Sequence, residues 1–216
     1  MRADEVYARR FPEAEARAKD ALWREIARWL QRFVPRDAVV LDLACDRGYF
    51  IRNIAARERW ATDLRDMRAD VGEDVHFVRS DGLRLAEILP RADFDVAFTS
   101  NYLEHLPSAD AVVEQLRVMR GLLKPGGRAI VLQPNVALVG GVYWDFIDHK
   151  VALTDRSLVE AAELAGLRTE RVIRRFLPYS TKGRLPRAPA LVRAYLAFPP
   201  AWALLGKQTL YVGTRE

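Results

Sequence analysis

Val39-Val40-Leu41-Asp42-Leu43-Ala44-Cys45-Asp46-Arg47-Gly48-Tyr49-Phe50 is an apolar run of strand length that meets an acid, turns through small residues and opens into a helical pattern. Residues of these types in this order suit the grip on a nucleotide-type cofactor at the carboxyl edge of a parallel sheet. There the backbone must come close to the ligand, so side chains must be small. A second acid, Asp63, closes the next apolar run, Trp60-Ala61-Thr62, 21 residues after Asp42. That is about the spacing at which a carboxylate meets ribose hydroxyls in a βαβ unit.

The elements that must position these groups follow from periodicity. Residues 13–34 read as an amphipathic helix, with Ala21, Leu22, Ile26, Trp29, Leu30 and Phe33 at three- and four-residue steps, and Pro35 ends it. Strand-like runs occupy 38–43, 58–62, 75–79, 94–99, 128–133, 167–177 and 208–214. Helical or turn-rich segments near 48–57, 64–70, 83–89 and 108–123 separate the first five. This alternation predicts a parallel sheet with helices on both faces. After an aromatic loop, Tyr143, Trp144 and Phe146, a helix is expected with Thr154 as N-cap and Gly166 as stop. No repeat or low-complexity linker divides the chain, so a single domain over 1–216 is expected, with a helical cap over about 1–35.

Composition narrows the class. Half of the residues are hydrophobic, which excludes general disorder. A single cysteine excludes an intramolecular disulfide framework and suits a reducing compartment. No apolar h-region opens the chain, and the best apolar stretch, from Ala129 to Trp144, is interrupted by Gln133, Pro134 and Asn135. A soluble, cytoplasmic protein is expected. The net charge of +5 is uneven: residues 171–216 carry nine Lys or Arg against one acid, so that segment is +8 and the rest −3. A basic, apolar insert over about 178–206, with five prolines between Pro178 and Pro200, lies within that end. It suits a lid, a dimer contact or peripheral contact with an anionic membrane surface, as well as a plain packed helix with solvated arginines.

Five motifs in order carry a family resemblance. The chain resembles the class I S-adenosylmethionine-dependent methyltransferases, particularly their small-molecule and quinone-biosynthesis group, over roughly residues 36–176. Leu41 to Gly48 matches the glycine-rich cofactor loop. Asp63-Leu64 matches the ribose acid and its neighbour, and Ser80-Asp81-Gly82 the strand end that meets the adenine amine. Phe94 to Leu106, with Asn101 and Tyr102, matches the fourth-strand motif, and Leu122 to Arg128 the turn into the fifth strand. The resemblance implies a Rossmann-like, doubly wound, mostly parallel seven-stranded α/β sheet with a reversed last strand. It also implies S-adenosyl-L-methionine as cofactor, bound through Asp42, Ala44, Asp46, Gly48, Asp63, Leu64, Asp81, Gly82, Asn101 and Tyr102.

The loop departs from the family's acid-x-Gly-x-Gly-x-Gly: Ala44 and Asp46 stand at the first two glycine places and only Gly48 survives. Ala44 is read as a mild change. Asp46 is sharper, because positive φ costs a non-glycine residue something. Its carboxylate offers attraction for the cofactor's ammonium or sulfonium, and the alternative is a degenerate loop with weakened binding. His149, after the fifth strand where the resembled enzymes meet their acceptors, is the expected general base, with Asp148 beside it to bias its ionisation. His105 is the second candidate, with a structural role as its alternative, and His76 is read as a core residue. Tyr143, Trp144 and Phe146 suit stacking on an acceptor or plugging the sheet edge.

No HExxH, paired cysteines or EF-hand spacing is present, so metal-independent transfer is expected. Asn101 is followed by Tyr102-Leu103-Glu104, without the two prolines and aromatic of amine-directed base methyltransferases. A small-molecule, sugar or lipid-linked hydroxyl is the expected acceptor. RNA methylation and a binding protein without turnover are the alternatives.

Overall fold

Strands that are apolar at nearly every position need cover on both faces, and this sheet has it. The computed structural model describes residues 13–90, 93–179 and 188–216. The strands are β1 Val39–Leu43, β2 Glu58–Asp63, β3 His76–Arg79, β4 Phe94–Ser100, β5 Leu123–Pro134, β6 Leu167–Leu177 and β7 Gln208–Arg215, in the spatial order β3-β2-β1-β4-β5-β7-β6. β1 to β5 run parallel, and β7 is antiparallel to both β5 and β6, the reversed last strand expected. The order reverses between β1 and β4. At such a switch point the connections leave to opposite sides and open a crevice at the carboxyl edge.

The helices are α1 Glu13–Leu30, α2 Arg68–Val71, α3 Leu85–Ile88, α4 Ala109–Leu122, α5 Val136–Val139, α6 Asp155–Leu164, α7 Pro189–Ala197 and α8 Pro199–Leu205. Alternate residues of each strand feed opposite cores. Val40, Ile130 and Leu132 join Ile26 and Trp29 of α1 on one face. Leu41, Leu43 and Val131 join Val112, Leu116 and Met119 of α4 on the other. Each such buried aliphatic side chain contributes about 1.5–3 kcal/mol. Ser108 caps α4 through the Ala111 N–H at 3.2 Å. Thr154 and Ser157 form a reciprocal capping box on α6, and the turn after it passes through Gly166 at φ +80°.

Several expectations shift. The helix expected to Val34 ends at Leu30 and closes with a 3-10 turn over Gln31–Phe33. Residues 49–54 form turns with isolated helical-type bonds, such as Ile54 N–H to the Phe50 carbonyl at 3.0 Å. β5 starts at Leu123, opposite Phe94, and a bulge over the Lys124–Gly127 turn restores pairing at Arg128 opposite Val96. Gly127 is needed there, because a Cβ would lie 2.9 Å from the Lys124 carbonyl. His76, expected in the core, is exposed and stacked on Trp60 at 4.7 Å, since β3 is the edge strand of the sheet.

Of the insert, residues 180–187 lie outside the described residues, as do 1–12 of the expected N-terminal cap. The remainder is packed helix. Trp202 meets Trp29 at 5.5 Å and Phe176 at 5.4 Å, and Arg193 forks onto the buried Glu25 of α1 at 2.8 and 2.9 Å. Leu191, Phe198, Leu204 and Leu205 stay exposed.

Candidate active site

The loop after β1 has the shape that glycines ordinarily supply. Ala44, Asp46 and Gly48 take φ of 56°, 50° and 67°. For a residue with a Cβ this region costs roughly 1–2 kcal/mol. Ala44 is therefore as strained a substitution as Asp46, against the milder reading of it. Gly48 is required twice over, because a Cβ there would also stand 2.8 Å from Val71 Cγ1. Hydrogen bonds hold the strained turn: Cys45 N–H to the Thr62 carbonyl at 2.9 Å, and Asp46 N–H to Asp63 Oδ2 at 3.0 Å. Asp42 is 3% exposed beneath the loop. Burial pushes its carboxyl well up, and the Ile51 N–H bonds it. Burial, with Asp42, Asp63 and Asp46 nearby, also pushes the Cys45 thiol far up, which removes it as a nucleophile.

Asp63, at the carboxyl end of β2, is 8% exposed and accepts the Arg65 N–H at 2.9 Å and Arg65 Nε at 3.1 Å. The same guanidinium reaches Asp46 Oδ1 at 2.9 Å, and Lys19 of α1 approaches Asp46 Oδ2 at 3.4 Å. Burial works against the charge on Arg65, but its bonds to Asp63 and Asp46 outweigh that and raise its pKa. Sequence reasoning missed Arg65. The signal was a cation two residues beyond Asp63, close enough for its own N–H and guanidinium to fold back on that carboxylate.

The other residues expected on the cofactor side collect along the same edge. Leu64 is 55% exposed at the rim. Asp81 caps a 3-10 turn through the Leu83 N–H at 3.0 Å. Gly82 packs so tightly that a Cβ would stand 2.5 Å from both the Tyr102 hydroxyl and Gln115 Oε1. Tyr102 donates to Gln115 Oε1 at 2.9 Å, and Gln115 Nε2 donates to the Gly82 carbonyl at 3.1 Å, which staples the ends of β3 and β4 together. Asn101 takes φ 50° and donates to Ser100 Oγ at 2.8 Å. Left-handed turn, buried strand-end carboxylate and stapled glycine together fit a nucleoside cofactor.

A second cluster adjoins it. After Tyr102 a 3-10 turn over Leu103–His105 carries Glu104, which is 1% exposed, and burial raises its carboxyl pKa. His105 Nδ1 lies 3.1 Å from the Asp148 carbonyl and 3.4 Å from Asp148 Oδ2. Asp148 thus faces His105, because neighbouring loop side chains diverge. The His149 ring lies 5.0 Å from that of His105, 4.6 Å from Tyr143 and 5.1 Å from Phe146. The N–H groups of Lys150 and Val151 donate to the Glu104 carbonyl at 2.8 and 3.1 Å, tying the two segments together. Tyr143 is fully buried and donates to the Val151 carbonyl, so it is the plug, while Trp144 is 53% exposed. Glu104 was not singled out from the sequence, although an acid and a histidine side by side just past a strand end were visible there.

A family model described as a methyltransferase domain matches residues 15–192. The chain belongs to this methyltransferase-domain family. It is an S-adenosylmethionine-dependent methyltransferase. The fold recurs in a chain of the complex between the Haloferax volcanii Trm112 methyltransferase activator and a methyltransferase, with TM-score 0.67, 16% identity and 94% and 95% of the two chains covered. It recurs in the TehB-like S-adenosylmethionine-dependent methyltransferase of Corynebacterium glutamicum (0.64; 19%; 98% and 97%). An S-adenosylmethionine-dependent methyltransferase of Mesorhizobium loti shares it as well (0.61; 18%; 88% and 98%). No curated protein matches the chain.

Asp46 shares Arg65 with Asp63, and this sets an expectation. In Asp46→Gly the backbone should relax, but Arg65 should then settle wholly on Asp63, the carboxylate expected to meet ribose. A partly exposed pair of this kind is worth up to about 1 kcal/mol, so affinity for S-adenosylhomocysteine should fall roughly fivefold. Calorimetry giving equal or tighter binding would show that the backbone term dominates.

Proposed function

We propose that the enzyme methylates a hydroxyl of a small-molecule, sugar or lipid-linked acceptor, and that the hydroxyl proton leaves at the cluster of Glu104, His105, Asp148 and His149. The observation that carries this reading is the approach of the two imidazoles to 5.0 Å, one short turn beyond Tyr102. The cofactor supplies a methyl group on a sulfonium, a good leaving group. The protein's work is then to align, exclude water and take a proton near neutral pH, for which histidine is suited. Asp42, Ala44, Asp46, Gly48, Asp63, Leu64, Asp81, Gly82, Asn101 and Tyr102 are proposed to surround the cofactor, and Asp63 to receive its ribose.

The carboxyl-terminal charge and the exposed Leu191, Phe198, Leu204 and Leu205 support an acceptor bearing phosphate or lipid, met at an anionic membrane surface from the cytoplasmic side. None of the described helices is long and apolar enough to cross a membrane. The test is incubation with methyl-labelled cofactor and a lysate divided into lipid, glycan, small-molecule and RNA fractions. Label in an ether linkage outside the RNA fraction supports the reading. Label confined to RNA overturns the acceptor class, and no label despite tight S-adenosylhomocysteine binding overturns turnover.

A further inference from the structure

The cluster beside Tyr102 holds more donor atoms than a proton relay uses. Glu104, His105 and His149 each place one ligand atom within 4.8 Å of the other two. Glu104 Oε2 is buried and has no hydrogen-bond partner among the described residues. A carboxylate oxygen in that position is costly unless a cation or a donor meets it. We propose that Glu104, His105 and His149 hold a first-row divalent cation whose open position takes the acceptor hydroxyl. The inference rests on the hydroxyl-directed reading above and departs from the metal-independent transfer expected from the sequence.

Two imidazoles and a carboxylate form a borderline donor set that suits zinc and its neighbours and leaves coordination positions open. The surroundings are those of a supported site. Asp148 faces His105 Nδ1, which directs Nε2, 4.0 Å from Glu104 Oε1, toward the ion. A carboxylate behind a ligating histidine fixes its tautomer and orientation. His149 Nδ1 is shielded from solvent, and its ring is boxed by Tyr143 and Phe146. The main-chain bonds from Lys150 and Val151 to the Glu104 carbonyl fix the distance between the two ligand segments. Ligand bonds of about 2.0–2.2 Å put donor atoms roughly 3–3.5 Å apart, so closure from within 4.8 Å asks for side-chain adjustments totalling at most about 1.5–2 Å. A neutral Glu104 beside the Gln133 amide is the alternative, and it leaves both side chains with buried polar atoms that lack a hydrogen-bond partner among the described residues.

Held by such an ion, the acceptor hydroxyl would give its proton near neutral pH to water at this same cluster, with the two imidazoles acting there as ligands and not as the base themselves. Its oxygen then forms a bond to the methyl carbon as the carbon–sulfur bond breaks, and that electron pair stays on sulfur as a neutral thioether.

The test is a Co2+ titration of the full, chelator-stripped chain, followed by visible d–d absorption, with Zn2+ as competitor. One Co2+ per chain is expected, displaced by Zn2+. Glu104→Gln and His149→Ala should each weaken it at least about tenfold, and His76→Ala should leave it unchanged. If a ligand variant fails to fold by circular dichroism, Asp148→Asn serves in its place. It keeps every ligand and should weaken Co2+ about tenfold through His105. Absence of d–d bands, or wild-type Co2+ affinity in the folded variants, overturns the site. Full transfer rate after chelation overturns its catalytic use. Co2+ binding is read without any acceptor, so it stands apart from the acceptor reading, which falls on RNA-only labelling.

Discussion

His149→Ala should retain the wild-type affinity for S-adenosylhomocysteine and lose roughly a hundredfold or more in turnover, the scale of a lost acid–base group. Affinity should persist because His149 sits beyond the end of β5, separated from the loop after β1 and from Asp63 by the strand β4 and the turn over Leu103–His105. Turnover should fall because the ring lies against His105, where the acceptor proton is proposed to leave. The substitution also removes contacts with Tyr143 and Phe146, so the melting temperature is measured alongside. A small loss in kcat with a raised acceptor KM would make His149 a positioning residue. Turnover unchanged within twofold would remove it from the site and turn attention to His105.

The second large effect is expected at Asp63. This carboxylate is proposed to meet the ribose, and a hydrogen bond to a charged group contributes on the order of 1.5–3 kcal/mol. Asp63→Ala should therefore weaken S-adenosylhomocysteine at least about tenfold. The structure adds a stability term. The Asp46 N–H and the Arg65 guanidinium both lose an acceptor, and a buried unsatisfied donor costs roughly 1–3 kcal/mol. The melting temperature should fall with the affinity while the chain still folds. Asp63→Asn separates the two, because it keeps an oxygen for the N–H but gives up the charge. It should recover most of the melting temperature and little of the binding. Unchanged affinity in Asp63→Ala would remove the carboxylate from the cofactor site.

What the sequence made legible follows from the range of the forces involved. Val39–Leu43 and Phe94–Ser100 were readable as strands because a run buried on both faces must be mostly apolar. The Thr154 cap was readable because its partner is three residues away. The order of motifs put the residues proposed to hold the cofactor along the strands' carboxyl ends, since chain order and strand order are linked in a doubly wound sheet. The convergence of Glu104 and His105 with His149 was not legible. Those ligand segments are 44 residues apart and meet only because β4 and β5 are neighbours. Metal motifs that are searched for as contiguous spacings pass over such a set. The Ala44 strain was equally hidden, because no side-chain type announces a dihedral angle. His76 was misplaced because an apolar run does not say whether its strand lies at the edge of the sheet.

The tie from the Lys150 and Val151 amides to the Glu104 carbonyl is made of main chain alone. It can therefore be inherited unchanged through substitutions in the preceding loop. Val142, Trp144 and Ile147 are exposed on that loop, so on the proposed reading their replacement should alter what the rim recognises without relocating the histidine behind it. Reactive geometry and acceptor taste would then be written in separable parts of the chain. Diversifying these three positions while leaving 148–151 untouched is the economical route to an enzyme with a new acceptor.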